Sequence, residues 1–544
     1  MSTDLLFKDL ENNIPRDRFA LGQWNRRLSK ASGLALESNT RLLQNYLLFC
    51  EKTSHAPHPD LLKLLKRRDI RTLSGVAPVT VLTKPFPCPG QCVYCPTEAR
   101  MPKSYLSNEP AAMRAVMHEF DPYAQVRTRL RSYRANGHDT DKCELIVLGG
   151  TWASYPKYYQ TWFITRLYEA LNDGPDGTNE EVEPKITDYS EKELNERLLR
   201  AEKINETANC RAVGLCLETR PDHVTPVEVA RLRWLGATRI QIGLQSIYQD
   251  VLDLIKRGEQ VEDTIKANRL LREAGFKVDM HTMPNLPGTD LARDEDMYRV
   301  IFSDPAFKPD QLKIYPTIVN EYAELHQWWK DGRWESYSDK DLLELCINIK
   351  AKYIPYYTRI NRLIRDIPKE SIAAGNDITN LRQYIQAEME KRGLNCKCIR
   401  CREARNKTAN LDEAKLFTEQ YICAGGLEYF ISYENAERTI LYAFVRLRIP
   451  QDEIDPTLAK LLPDVVGAAH IRELHTYGKL TPIGEHDDGV QHAGFGRRLM
   501  AEAEKIVAEH GLKKIAIIAG VGVREYYAKL GYKLENTYMT KILQ

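Results

Sequence analysis

The chain has 544 residues, 43% hydrophobic and 28% charged, with a formal net charge of +2. Such a length exceeds one ordinary core and the composition is that of a globular protein, which excludes wholesale disorder and a single small domain. The opening MSTDLLFKDLENNIPRDRF is charged throughout, no stretch approaches the ~20 uncharged apolar residues of a membrane span, and 12 cysteines in so long a chain make no disulfide framework, so the protein reads as intracellular and cytoplasmic.

Residues 1–75 are expected to form a basic helical arm. Apolar residues recur at helical spacing in RLLQNYLLFCEK and DLLKLLKRR, and the segment holds 13 Lys/Arg against 8 Asp/Glu. Lys63, Lys66, Arg67 and Arg68 are candidate phosphate contacts; the plainer alternative is a solvated charged face. From 76 to 340, six strand-like runs alternate with helical stretches: PVTVLTK, ELIVLGG, AVGLCLE, RIQIGLQS, KVDMHTMP and QLKIYP. Six β/α units predict a partial parallel barrel of α/β class, with ligands at the C-terminal ends of the strands. The acidic Asn172 to Pro184 segment is expected to be a surface loop. Residues 341–415 read as a helical connector ending in a cysteine cluster. Residues 416–544 read as an α+β domain: a meander, a helix, the strand KKIAIIAG and a last helix.

PFPCPGQCVYCP sets Cys88, Cys92 and Cys95 in a loop directly after the first barrel strand, spaced Cys-x3-Cys-x2-Cys. Three thiolates leave one iron of a 4Fe-4S cluster open to the amino and carboxylate groups of S-adenosylmethionine (SAM), whose sulfonium the cluster can reduce. The competing reading is a zinc knuckle without its fourth ligand. The segment resembles the radical SAM superfamily, in which an aromatic such as Tyr94 lies against the adenine and a glycine motif, matched here by Gly149, Gly150 and Thr151, receives the SAM amino group. The strand-end sequences ETRPDH, GLQS, HTMPNLPGTD and LKIYP occur in an order that resembles the catalytic subunit family of the elongator complex, from about residue 75 onward. By position Gln245, Lys313 and Tyr315 face the barrel mouth, Gln245 toward the cofactor and Lys313 as a catalytic candidate. Ordinary barrel-layer side chains, or a buried salt bridge for Lys313, are the alternatives.

Cys396, Cys398 and Cys401 form a second group amid seven basic residues between 391 and 407, among them Arg400, Arg402 and Arg405, three further candidates for tRNA phosphates. Thiolates beside positive charge suit Zn²⁺, with the fourth ligand open between Cys423, Cys346 and a histidine; free cysteines or a second iron-sulfur cluster are the other readings. The expected role is a staple rather than catalysis.

In QHAGFGRRLM, Gln491, Gly494 and Gly496 precede an apolar-periodic helix, whose first N–H groups and dipole can cradle the pyrophosphate of acetyl-CoA. Arg497 and Arg498 are either phosphate contacts or exposed helix charges. The strand Ile515–Ala519 and GVGVREYYAKLGY follow at a spacing that resembles GNAT acetyltransferases. That resemblance implies that Tyr527 meets the CoA sulfur and protonates a leaving thiolate, with Tyr526 alongside; packing of one of the two against the sheet is the alternative.

Together the resemblances imply an enzyme acting on tRNA: a SAM-derived radical takes hydrogen from the acetyl methyl, and carbon 5 of the wobble uridine is modified. The arm and the basic patch would hold the anticodon stem-loop, and accessory elongator-type subunits are possible partners. The competing readings are a protein lysine acetyltransferase with a structural iron-sulfur domain and a non-catalytic tRNA-binding scaffold.

Overall fold

The computed structural model describes residues 3–32, 36, 38–65, 75–177, 186–376, 378, 380–404, 413–477 and 494–544. Four helices open the chain: α1 (Thr3–Asn12), α2 (Arg18–Ser32), α3 (Asn39–Lys52) and α4 (Pro59–Leu65). Ser38 starts α3 by accepting the Arg41 N–H on its hydroxyl. The apolar spacing read from the sequence brings Phe7, Leu10, Leu21, Leu42, Leu43, Tyr46, Phe49, Leu61 and Leu65 into one small core. Burying each stabilises the arm by roughly 1.5–3 kcal/mol for the larger side chains. Among the expected tRNA contacts, the Lys63 side chain and all of Lys66, Arg67, Arg68 and Arg405 lie outside the described residues, as does Gln491.

Seven strands then pair in parallel in chain order: β1 (Ala77–Leu82), β2 (Lys142–Leu148), β3 (Arg211–Thr219), β4 (Arg239–Gln245), β5 (Lys277–Thr282), β6 (Gln311–Ile314) and β7 (Arg359–Arg362). The sheet is an open half-barrel with β1 and β7 as edges. All six expected strands are present. The seventh lies past residue 340, in the stretch expected to be a helical connector. Arg-Ile-Asn-Arg offers a single apolar residue and no readable period, so pairing with β6 rather than local pattern makes it a strand. Helices such as Lys157–Asp173, Val261–Glu273 and Leu291–Ser303 cover the outer face and close a core of Val, Ile and Leu side chains. The inner face is polar, with Glu144, Arg239, Gln241, Gln311 and Lys313 turned to a cavity.

The second sheet holds β8 (Lys415–Cys423), β9 (Gly426–Glu434), β10 (Leu441–Pro450), β11 (Ala468–Thr476), β12 (Lys514–Ile517), β13 (Lys533–Glu535) and β14 (Tyr538–Ile542), in the order β13-β14-β12-β11-β10-β9-β8. β8 to β11 run antiparallel, and β12 joins β11 in parallel after the helix Phe495–Glu509. That helix covers one face with Phe495, Leu499, Ala503 and Val507. Ala468, Ala516, Ile518 and Tyr538 of the domain pack into the half-barrel core instead.

The N-terminal ends of the barrel strands therefore abut the second sheet. Tyr538 donates to the Ala274 carbonyl (2.8 Å) and Arg472 to the Phe276 carbonyl (2.8 Å). At the joint, Asp310 and Glu428 are buried among Arg272, Arg446, Arg448 and Arg472, with ion-pair distances of 2.7–3.6 Å. Burial would raise the Asp310 carboxyl, but Arg272, Arg472 and Arg446 outweigh it and hold it far below the usual range. No helix among the described residues is long and apolar enough to cross a membrane.

Candidate active site

The loop after β1 is held at both ends of its cysteine run. Val93 donates to the Ile255 carbonyl (3.0 Å) and accepts from the Leu325 N–H (2.8 Å), while Lys103 donates to the Gly90 carbonyl (2.7 Å). Cys92 and Cys95 stand against each other, and Cys88 Sγ lies 3.6 Å from the Thr151 hydroxyl. The Cys95 thiol and then the Arg257 guanidinium lower the Cys92 thiol despite its burial, favouring its thiolate form. Arg257 Nη1 is 3.6 Å from Cys92 Sγ and 3.5 Å from the Tyr94 hydroxyl. Its other terminal nitrogen donates to the Gly243 carbonyl (2.9 Å), and Glu259 pairs with both Arg257 and Arg220.

Tyr94, Gly150, Thr151, Gln245, His281, Lys313 and Tyr315 line the cavity above these cysteines. Gln245 ends β4 with φ +62°, a left-handed conformation that turns its amide inward, and its Oε1 is buried without a partner. His281 Nε2 is likewise unpartnered; burial and then Lys313 push its pKa well below the usual histidine value, keeping it neutral. Lys313 donates to Gln241 Oε1 (2.5 Å) rather than closing a direct salt bridge. Gly149 does not line the cavity. Its carbonyl accepts from the Tyr155 hydroxyl (3.0 Å), and a Cβ there would lie 1.9 Å from Thr83 Oγ1 at φ +137°, so this glycine is needed for close packing of the β1 and β2 ends. The thiolate at Cys92, the unpartnered Gln245 and His281 atoms and a buried Arg220 Nη1 without a partner fit an iron-sulfur cluster carrying a polar cosubstrate.

The same cavity, about 1910 Å³, continues past Arg239, Gln311 and Arg359 to Gly494, Gly496, Arg497, Tyr526 and Tyr527. Gly494 (φ +70°) precedes the helix Phe495–Glu509, and Gly494, Gly496 and Arg497 at its start line the cavity. A Cβ at Gly496 would sit 2.7 Å from the Tyr526 hydroxyl. Tyr527 is buried, and burial followed by Tyr526 and Glu473 raises its phenol above the ordinary range, so it keeps its proton. Tyr526 stands edge-on to it at 5.2 Å. Arg498 stacks over Tyr433 and Phe495 instead of facing the cavity.

The sulfurs of Cys396, Cys398 and Cys401 all lie within 4.8 Å of one another. Lys350, on a π-helical turn (Ile349–Tyr353) and almost fully buried, has its Nζ 3.5 Å from Cys401 Sγ. Among the described residues no Cys, His, Asp or Glu completes a four-ligand set. Cys423 is turned elsewhere, toward the Phe307 carbonyl (3.4 Å). The basic patch is also less open than its composition predicts. Arg402 is 3% exposed, pairs with Glu434 and donates to the Tyr356 carbonyl (2.6 Å), so it is a packing residue rather than a surface phosphate contact. Arg400 does face the cavity, one nitrogen donating to the Asn361 carbonyl (2.6 Å).

The sequence profile of the Radical SAM superfamily matches residues 87–301, and that of the Radical_SAM C-terminal domain matches 309–391. The chain is 40% identical to a tRNA uridine(34) acetyltransferase of Methanocaldococcus jannaschii over 94% of its own length and 91% of that protein's. The chain belongs to this family. It is also 44% identical to the tRNA uridine(34) acetyltransferase of Dehalococcoides mccartyi, covering 87% of this chain and 99% of the relative, and 38% identical to human Elongator complex protein 3, covering 89% and 87%. The solved structure of Methanocaldococcus infernus Elp3 with an N-terminal deletion superposes with a TM-score of 0.71 at 39% identity, over 86% of this chain and all of that one. For a family member, the tertiary structure adds residues that motif reading passed over. Arg257 and Glu259 belong to an unremarkable KRGE run, and nothing short of the fold brings them to Cys92.

Proposed function

We propose that this chain is a tRNA uridine(34) acetyltransferase that uses acetyl-CoA and SAM-dependent radical chemistry to modify carbon 5 of the wobble uridine. The observation that carries the reading is the shared cavity: the candidate cluster cysteines and the candidate acetyl-CoA residues line one continuous space. A thioester and a radical source need such a connection, because the radical must meet the acetyl methyl before water does.

Cys88, Cys92 and Cys95 would hold a 4Fe-4S cluster, Tyr94, Gly150, Thr151 and Gln245 the SAM. When bound, the cluster supplies the electron that turns SAM into a radical source able to take hydrogen from the acetyl methyl. The Cys95 thiol and Arg257 favour the thiolate form of Cys92, and Gln245 and His281 offer unpartnered hydrogen-bonding atoms to the cosubstrate. Gly494, Gly496 and Arg497 would take the CoA phosphates, and Tyr527, held protonated, would donate to the departing CoA thiolate. Lys313 orients groups in the lumen through Gln241. The Cys396, Cys398 and Cys401 group would hold zinc as a staple between half-barrel and second sheet. Accessory elongator-type subunits and a cytoplasmic setting, where tRNA is found, complete the reading.

The test is nucleoside mass spectrometry of tRNA from a strain lacking the protein, complemented by wild type or by Cys92→Ser. Loss of the carbon 5 modification in the deletion, restored by wild type and not by the variant, is the expected result. An unchanged nucleoside profile, or acetyl transfer to lysine peptides without tRNA, would favour the protein acetyltransferase instead.

A further inference from the structure

A second group of metal-type donors lies in the N-terminal arm, far in sequence from either cysteine cluster. A carboxylate oxygen of Glu11 on α1, Cys50 Sγ near the end of α3 and a ring nitrogen of His55 in the following turn all lie within 4.8 Å of one another. One carboxylate, one thiolate and one imidazole are the donor set of a borderline divalent cation such as Zn²⁺.

The surroundings orient two of the three donors. Tyr46, one helical turn before Cys50, donates its hydroxyl to Glu11 Oε1 (2.5 Å). The Thr53 hydroxyl donates to the Phe49 carbonyl (2.6 Å), which leaves its oxygen as the acceptor for His55 Nδ1 at 2.7 Å. Nδ1 then carries the ring proton, and the lone pair of Nε2 points at Glu11 Oε1 from 2.9 Å. Two acceptors at that distance need a cation or a second ring proton between them. Hydrogen bonds of this kind from outside the site are what fix metal-binding imidazoles and carboxylates. Independently, His58 donates its backbone N–H to the same Tyr46 hydroxyl (2.7 Å), and its own Nδ1 is shut from solvent without a partner.

We infer that Glu11, Cys50 and His55 form a binding site for a Zn²⁺-type divalent cation. The ion ties α1 to the end of α3 and to the turn that leads into α4. These helices share only a small core, so one coordinate link fixes the angle at which α4 leaves the arm.

The site is tested on the full-length protein, stripped of divalent metals and loaded with cadmium, by cadmium NMR. The cadmium shift depends on the number of bound sulfurs, so a one-thiolate site separates from the three-thiolate cysteine groups. The expected spectrum has a one-thiolate resonance that disappears in Cys50→Ala and in His55→Gln, while the three-thiolate signal and the helical circular dichroism persist. Zinc content should fall by about one equivalent in both variants. Absence of the one-thiolate resonance from the wild-type protein, or its survival in Cys50→Ala, overturns the site and leaves a protonated His55–Glu11 ion pair in its place. Either outcome is independent of activity on tRNA.

Discussion

Arg472 of the second sheet reaches the half-barrel to donate both terminal nitrogens to the Asp310 carboxylate, just before β6, at 2.8 and 2.7 Å, and both residues are fully buried. Arg272 and Arg446 share the same carboxylate at 3.6 and 3.4 Å. Removing it takes a shared counter-charge from three buried guanidinium groups, leaving Arg272 and Arg472 on Glu428 and Arg446 on Glu473. Asp310→Ala is expected to cost about 3–5 kcal/mol, the usual penalty for breaking a buried pair from one side. Urea unfolding followed by fluorescence measures it, and a loss under about 1 kcal/mol would show that water already reaches the joint.

The same joint sets an acid limit. Burial would raise the Glu473 carboxyl, but Lys277 and Arg446 bring it down to about 2. A carboxylate depressed in the folded state stabilises fully above its unfolded pKa of about 4.3 and loses that contribution as the pH falls from there toward about 2. The stability gap between wild type and Glu473→Gln should therefore be constant from pH 7 to about 5 and shrink below about 4. A gap that widens on acidification would reverse the sign and refute the assignment.

At the proposed acyl end, Tyr527→Phe removes the proposed proton donor while keeping the ring packed. Acetyl-CoA turnover in the presence of tRNA is expected to fall by roughly 10²–10⁴, the range for loss of a general acid, with tRNA affinity unchanged. Gly496→Ala places a methyl 2.7 Å from the Tyr526 hydroxyl and should raise KM for acetyl-CoA without touching tRNA affinity. Steady-state kinetics beside a filter-binding assay separates the two. Equal turnover by Tyr527→Phe would assign that ring to packing alone.

For the cysteine triplet near the connector, Lys350→Met deletes the buried ammonium beside Cys401 and is expected to weaken zinc by about 10- to 100-fold, as loss of supporting groups around a metal usually does. Chelator competition reads the affinity, and Lys350→Arg should recover part of it. Chelation should lower the melting temperature of wild type more than that of Lys350→Met.

Arg400 and Arg402 make a contrasting pair. Arg402→Ala breaks a buried pair with Glu434 and should lower stability, whereas Arg400→Glu should leave the melting temperature nearly unchanged and weaken tRNA binding with a smaller salt dependence. Comparable melting temperatures with unchanged salt slopes in both would remove this segment from the tRNA surface.

Much of this protein was legible in one dimension because the signals were local. Cys88, Cys92 and Cys95 are seven residues apart at most, six strands announce themselves by apolar runs, and Gly494 and Gly496 precede an amphipathic helix. Spacing determined which groups could ligate iron or cradle a phosphate. What only the tertiary structure decided depends on residues far apart in sequence. β7 exists because β6 offers an edge, Arg402 is buried because Glu434 arrives from another sheet, and Arg257 meets Cys92 across 165 residues of chain. Above all, the joining of the two sites into one cavity follows from docking of the second sheet on the strand ends through Asp310 and its arginines. Neither partner's local sequence encodes that contact. A buried charge is stable only once its counter-charge has been folded against it, and no window of sequence contains both.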